Sequence, residues 1–282
     1  MKVLLPLMRA AYALRSTQLS ATMTGEYFDD FGVGTTTTTT TTGLARQLPP
    51  LSEGSRRVVL VRHAETDWNA RGLLQGGSFD VQLNDAGRQQ AARLAAELTA
   101  AVPRLDVVVS SHLHRASETA DIVQQAFGNR GDSTSIRIIN HKFAEMKFGD
   151  LEGTVIRGPD CTDETRRKFQ DWNAVMHANK SLPWPGSGES INDVEQRATA
   201  GLNQILRGFP DAQHIGIVGH GRFNKVLLMS LLGLQGKDSI QQGNTGINVL
   251  DVDQDGNWKA HAINYLAHTK TTATTKRANK KE

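Results

Sequence analysis

From Arg56 onward, short runs rich in Val and Ile alternate with stretches in which apolar residues recur every three or four positions. "RRVVLVRH", "LDVVVSS", "SIRIIN" and "HIGIVGH" have strand length and too little polar alternation for a half-exposed strand. Between the first two, "LNDAGRQQAARLAAELTA" sets Ala91, Leu94, Ala95 and Leu98 at helical spacing, with Asn84 or Asp85 as N-cap. "HLHRASETADIVQQAF" follows the second strand as a helix, and a longer polar region predicts helices over Thr162 to His177 and Glu189 to Arg207. "GRFNKVLLMSLLGL" is a helix after the fourth strand, and "GINVLDV" and "WKAHAINY" close the pattern as strands. This alternation predicts an α/β fold: a three-layer α/β/α sandwich with a mainly parallel central sheet. Ligands are expected beyond the carboxyl ends of its strands.

The ends of the chain break the pattern. Met1 to Gly25 carries three basic residues, several Ser and Thr and no acid, the composition of an organelle transit peptide. Its apolar run "VLLPLM" is six residues long, too short for a membrane span. Eight threonines, Thr35 to Thr42, and "LPPLSEGS" follow, a low-complexity stretch that buries too little apolar area to offset its ordering entropy. The folded domain is thus expected over residues 56–268, between a disordered extension (1–55) and a disordered basic tail (269–282). The leader reading places the protein in a chloroplast or mitochondrion; without it the expectation is the cytoplasm.

Charge follows the same partition. The first 55 residues hold four bases and four acids, and the stretch from Thr269 holds five bases and one acid, leaving 23 bases and 24 acids between. The pI near 9.0 is a property of the tail, so no basic nucleic-acid face is expected on the domain. Cys161, the only cysteine, excludes an intrachain disulfide and a cysteine-based zinc site.

Three predicted strands end in polar clusters: Arg62 and His63 in "VLVRHAETDWN", Ser110, Ser111 and Arg115 in "VVVSSHLHRA", and His220 in "IGIVGHG". In a parallel sheet such ends converge on one crevice, where two Arg and two His repel one another unless an anion sits among them. Phosphate fits, because the Arg fork matches its oxygens and helix N-termini add backbone N–H groups. A neutral His63 can then attack phosphorus while the alcohol leaves. The departing oxygen needs a proton, and "HKFAEMKFGDLEG" offers Glu145 and Glu152, of which Glu145 is nearer the strand end and is assigned as general acid and later base. His220 is expected to donate to the phosphoryl oxygens and, if protonated, to stabilise transition-state charge.

These residues resemble the histidine phosphatase superfamily, also called the phosphoglycerate mutase-like family, over residues 56–268. The resemblance implies that fold, with His63 as phosphorylated nucleophile, Arg62 and Arg115 as phosphate-binding arginines, His220 as second pocket histidine and Glu145 as proton donor. It also implies substrate contacts from Asn69, from Gln75 and Gly76 in the substrate loop, and from Gly221. "GES" at Gly188 to Ser190 reads as a helix start with Ser187 as cap. Three positions depart from the commonest pattern: Ala64, His112 and Arg222. Arg222 either faces the mouth of the pocket, favouring an acidic substrate, or faces solvent.

The family contains phosphatases and mutases. "QGGSFD" and "FAEMKFGDLEG" resemble the phosphatase form, which implies a metal-independent phosphomonoester hydrolase with no cofactor, acting on a small sugar phosphate or phosphoglycerate-like acid. The alternatives are a phosphoglycerate mutase, which needs a bisphosphorylated primer, and a non-catalytic domain that binds a phosphate ester or phosphoprotein. Oligomeric state is left open.

Overall fold

The structure, a computed structural model, describes residues 43–129, 135–234 and 240–269. The leader, the threonine run and the basic tail lie outside these residues. Six strands form one sheet: β1 (Arg56–Arg62), β2 (Val107–Ser110), β3 (Ile136–Ile139), β4 (His214–Gly219), β5 (Ile247–Val252) and β6 (Trp258–Tyr265), in the order β3-β2-β4-β1-β5-β6. The β3-β2-β4-β1 half is parallel, β5 adds antiparallel to β1, and β6 adds antiparallel to β5. Six α-helices accompany them: α1 (Asp67–Ala70), α2 (Asp85–Ala101), α3 (His114–Gly128), α4 (Asp163–Ala178), α5 (Ile191–Gly208) and α6 (Gly221–Leu231). Among the described residues no helix is long and apolar enough to cross a membrane.

Strand alternation sorts the core into two layers. Val58 and Leu60 of β1 join the cluster that contains Val194, Leu202 and Ile205 of α5 and Phe223 and Leu227 of α6. Val59 and Val61 join the other, with Leu94 and Leu98 of α2 and Ala120 and Val123 of α3. The expected three-layer sandwich is therefore present.

The helix starts follow local chemistry. Asn84 caps α2 through Gly87 N–H, and Thr162 caps α4 through Thr165 N–H. For α5 the cap is Ser190, not Ser187: Ser190 and Asp193 form a capping box, each side chain taking the other's backbone N–H.

Packing also reaches upstream of the expected boundary at Arg56. Leu44 is completely buried in the second core layer, and its N–H donates to Glu97 Oε1 at 2.7 Å. Pro49 O accepts from Arg57 Nη2 at 2.9 Å. Burying one Leu contributes roughly 1.5–3 kcal/mol, enough to hold a short segment whose composition otherwise reads as loop.

Candidate active site

Strand register assembles the site. Arg62 lies opposite Gly219, and Ser110 opposite Val218, so β1, β2 and β4 end level with one another. The next residues stay in line: His63 N–H donates to Gly219 O at 3.0 Å and Ser111 N–H to Val218 O at 3.2 Å. His63 and His220, 157 positions apart in sequence, thereby come together with ring centroids 5.2 Å apart.

His63 is set up as a nucleophile. Its Nδ1 lies 2.7 Å from Ala64 O, an oxygen that only accepts, so Nδ1 carries the proton and Nε2 keeps its lone pair. Burial first, then Arg115 and Arg62, hold its pKa well below the usual imidazole value. The same causes act on His220, burial first, then Arg115, His63 and Arg62. The lowered pKa favours the neutral form of His220, which offers one N–H to a ligand. His220 is completely buried, and among the described residues neither ring nitrogen has a hydrogen-bond partner. Such a group costs free energy unless a ligand supplies the partner.

Arg115 is also completely buried, on the first turn of α3. Its Nη1 and Nη2 donate to Phe79 O and Gly76 O, both at 2.8 Å, while Nε has no partner. Burial lowers its pKa to about 10 against the pull of Glu145, Asp80 and Glu152, which leaves it charged at neutral pH. Arg62 Nη1 donates to Gln242 O at 2.6 Å. Asn69 presents an amide whose oxygen already accepts from Thr66 N–H and Asn244 Nδ2, both at 3.2 Å, so its NH₂ is the half left for a ligand.

Glu145 is fixed by three backbone N–H groups: Oε1 accepts from Met146 and Phe223 at 2.9 and 2.8 Å, and Oε2 from Arg222 at 3.0 Å. Two of these donors are in the first turn of α6, which begins at Gly221 directly after His220. Because Oε2 accepts one N–H, it retains a lone pair for an exchangeable proton. Glu152 instead holds the substrate loop, accepting from Gly77, Ser78 and Phe148 N–H at 3.2, 3.1 and 2.8 Å. Gly76 has φ +62°, and a Cβ there would lie 2.0 Å from Glu152 Oε1, so this turn requires glycine. Gln75 beside it is buried with an unpartnered Oε1.

Several site residues escaped the sequence reading. Asn244 Nδ2 and Thr245 N–H donate to His63 O at 3.1 and 3.3 Å. Thr245 is fully buried at φ +57°, a strained backbone for a β-branched residue, held by its neighbours in this loop. Arg197 grips Glu189 bidentately at 2.8 and 3.0 Å and donates to the carbonyls of Lys142, Ala144 and Glu145. "GES" is thus more than a helix start, since Glu189 braces the loop that carries Glu145. The hydroxyls of Ser110 and Ser111 are used within the fold, toward Ser111 O and Leu113 N–H.

The Arg222 side chain is held against α4: its Nη2 donates to Asn173 Oδ1 at 2.7 Å, Nη1 lies 3.4 Å from His177 Nε2, and the guanidinium sits over the Phe148 ring.

Comparisons with known proteins give the family and the fold. The family model described as the histidine phosphatase superfamily (branch 1) matches residues 58–265. Phosphoglycerate mutase-like protein 4 of Arabidopsis thaliana is 34% identical over 164 residues, which is 58% of this chain and 66% of that protein. A 2,3-bisphosphoglycerate-dependent phosphoglycerate mutase of Bartonella quintana is 29% identical over 197 residues, 69% of this chain and 91% of its own. Among solved structures, phosphoserine phosphatase from Entamoeba histolytica in complex with 3-phosphoglyceric acid aligns with a TM-score of 0.60 at 26% identity, covering 76% of this chain and 100% of its own.

Proposed function

The chain belongs to the histidine phosphatase superfamily (branch 1), and on that footing we propose that it is a phosphomonoester hydrolase working through a phosphohistidine on a small phosphorylated metabolite. The observation that carries this reading is His220, fully buried beside His63 with both ring nitrogens unpartnered. A phosphoryl group is the ligand that supplies acceptors there and offsets the neighbouring arginine charges at once.

In the first step His63 Nε2 attacks phosphorus and the ester P–O bond breaks. Glu145 passes a proton to the departing alkoxide, which leaves as the alcohol. In the second step a water attacks the phosphohistidine while Glu145 takes its proton, the P–N bond breaks, and inorganic phosphate departs. Arg62, Arg115, His220 and the amide of Asn69 bind the phosphoryl oxygens throughout, with the N–H of Gly221 at the start of α6 adding a donor. The Ala64 O contact on Nδ1 keeps His63 in the attacking tautomer and shares the positive charge that forms when Nε2 bonds to phosphorus. Gln75 and Gly76 contact the leaving group from the loop that Arg115 and Glu152 hold in place.

The substrate class is a phosphorylated small acid or sugar. The relatives support it by name, as phosphoserine phosphatase and phosphoglycerate mutase. The mutase relative also keeps a second reading in play, transfer of the phosphoryl group back to a different hydroxyl. Phosphate release from phosphoserine and 3-phosphoglycerate, with 2-phosphoglycerate followed in parallel, separates the two. The hydrolase reading expects phosphate without 2,3-bisphosphoglycerate. Isomerisation that depends on that primer, with no net phosphate, would replace it by the mutase.

A further inference from the structure

Arg222 has its main chain in one site and its side chain in another. Its N–H holds Glu145, but its guanidinium borders a cavity of about 100 Å³ that none of Arg62, His63, Arg115, Glu145 or His220 lines. The cavity follows one face of α6, where Arg222, Lys225, Val226 and Met229 recur at helical spacing. It is closed on the other side by His177 and Lys180 at the end of α4 and by Ile191 and Glu195 of α5.

Its charge is unbalanced. Arg222, Lys225 and Lys180 converge on a space that, among the described residues, is lined by one carboxylate, Glu195, whose Oε1 accepts from the hydroxyl of Ser230 at 2.8 Å. Among the described residues none of the three cations lies within 4.0 Å of a carboxylate. Arg222 makes do with the neutral partners Asn173 and His177. The crowding is felt at two of the groups: burial and then Arg222 push Lys225 down to about 8, and burial followed by Arg222, Lys225 and Lys180 pushes His177 down to about 4. Three half-buried cations converging on one space favour an anion, and the apolar side chains of Ile191, Val226 and Met229 favour a ligand with a nonpolar body.

We infer that this cavity is a second ligand site, distinct from the phosphoryl pocket, that takes a small organic anion whose acidic head lies among Arg222, Lys225 and Lys180 and whose apolar body lies along α6. The site stands on its own geometry and does not depend on the hydrolase reading.

Lys225 provides the readout, because it lines the cavity and has no part in the catalytic machinery. Trace acetylation of the full chain near pH 8, followed by peptide mass spectrometry, measures its reactivity against the exposed Lys142 as internal reference. Benzoate is expected to protect Lys225 saturably while leaving Lys142 unchanged, and benzyl alcohol, of the same shape without the charge, is expected not to. Lys180→Met should raise the half-protecting benzoate concentration by roughly tenfold, as loss of one charge-assisted contact does. Protection should fade as pH rises through about 8, where Lys225 loses its charge. Absence of saturable protection by benzoate, or equal protection by benzyl alcohol, would overturn the assignment.

Discussion

β1 runs from an Arg57–Asp251 ion pair at its start to His63 at its finish, and the two ends are built differently. At its start Arg57 is fully answered: Nε and Nη2 reach both oxygens of Asp251 at 2.8 Å, Nη2 also reaches Pro49 O, and His261 Nε2 lies 2.8 Å from the same carboxylate. At its finish the strand leads into His63, which meets His220 and Arg115; burial lowers the pKa of both imidazoles, and among the described residues Arg115 donates to backbone carbonyls and to no carboxylate. Buried side chains occur at both ends, Arg57 at one and His63, His220 and Arg115 at the other, so burial alone does not mark the functional end. What differs is that Arg57 has a carboxylate on its fork, whereas among the described residues the ring nitrogens of His220 and Nε of Arg115 have no hydrogen-bond partner.

Substitutions at the two ends should therefore fail differently. The largest effect is expected from His63→Ala, which removes the phosphoryl acceptor and should reduce phosphate release to background with the fold retained. Glu145→Gln should follow with a loss of about 10²–10⁴-fold, greatest for alkyl phosphates and smallest for nitrophenyl phosphate, whose leaving group needs no proton. Equal losses on both substrates would remove Glu145 from the acid role. At the other end Arg57→Met leaves the partly exposed Asp251 with only His261 and should destabilise by about 1–3 kcal/mol in a denaturant titration, with turnover of the folded fraction unchanged.

The histidine pair should also show in the pH dependence of stability. His63 and His220 have folded-state pKa values below their unfolded value, so below pH ~6.5 the unfolded chain takes up protons that the folded one refuses. Their contribution is present above that pH and is lost as pH falls, by up to ~1.4 kcal/mol per pH unit for each group. Melting temperatures at pH 7.5 and 5.5 should thus differ more for the wild type than for His220→Asn. The smallest effect is expected from Asn244→Ala, about 1 kcal/mol from its lost bond to His63 O, seen as a slower turnover with little change in KM.

Much of this was readable in the chain because it is written locally. The strands β1, β2 and β4 as buried, helices capped at Asn84 and Thr162, and polar residues directly after those strands all follow from residue type and spacing over a few positions; β3 is a strand as expected but lies at the sheet edge with Ile136 and Ile139 exposed. Strand order was not readable, since β1 is placed between β4 and β5 by contacts across more than 150 residues. For the same reason the supports of the site went unseen: Asn244 reaches His63 from 181 positions away, and Arg197 reaches Glu145 from 52. Leu44 was hidden by its surroundings, a single apolar anchor between a threonine run and Pro-Pro. One signal was legible and missed, the Ser190 to Asp193 spacing of a capping box, which places the cap three residues after Ser187.

The central claim is that the pocket formed by His63, His220 and Arg115 receives a phosphoryl group that becomes bonded to His63. Rapid mixing of the full chain with ³²P-labelled phosphoserine, alkaline quench and peptide mapping tests it directly. An acid-labile, alkali-stable label on the peptide containing His63, absent from His63→Ala and turning over at the rate of phosphate release, is the predicted result. Sustained phosphate release with no label on that peptide, or with the label on another residue, would contradict the account.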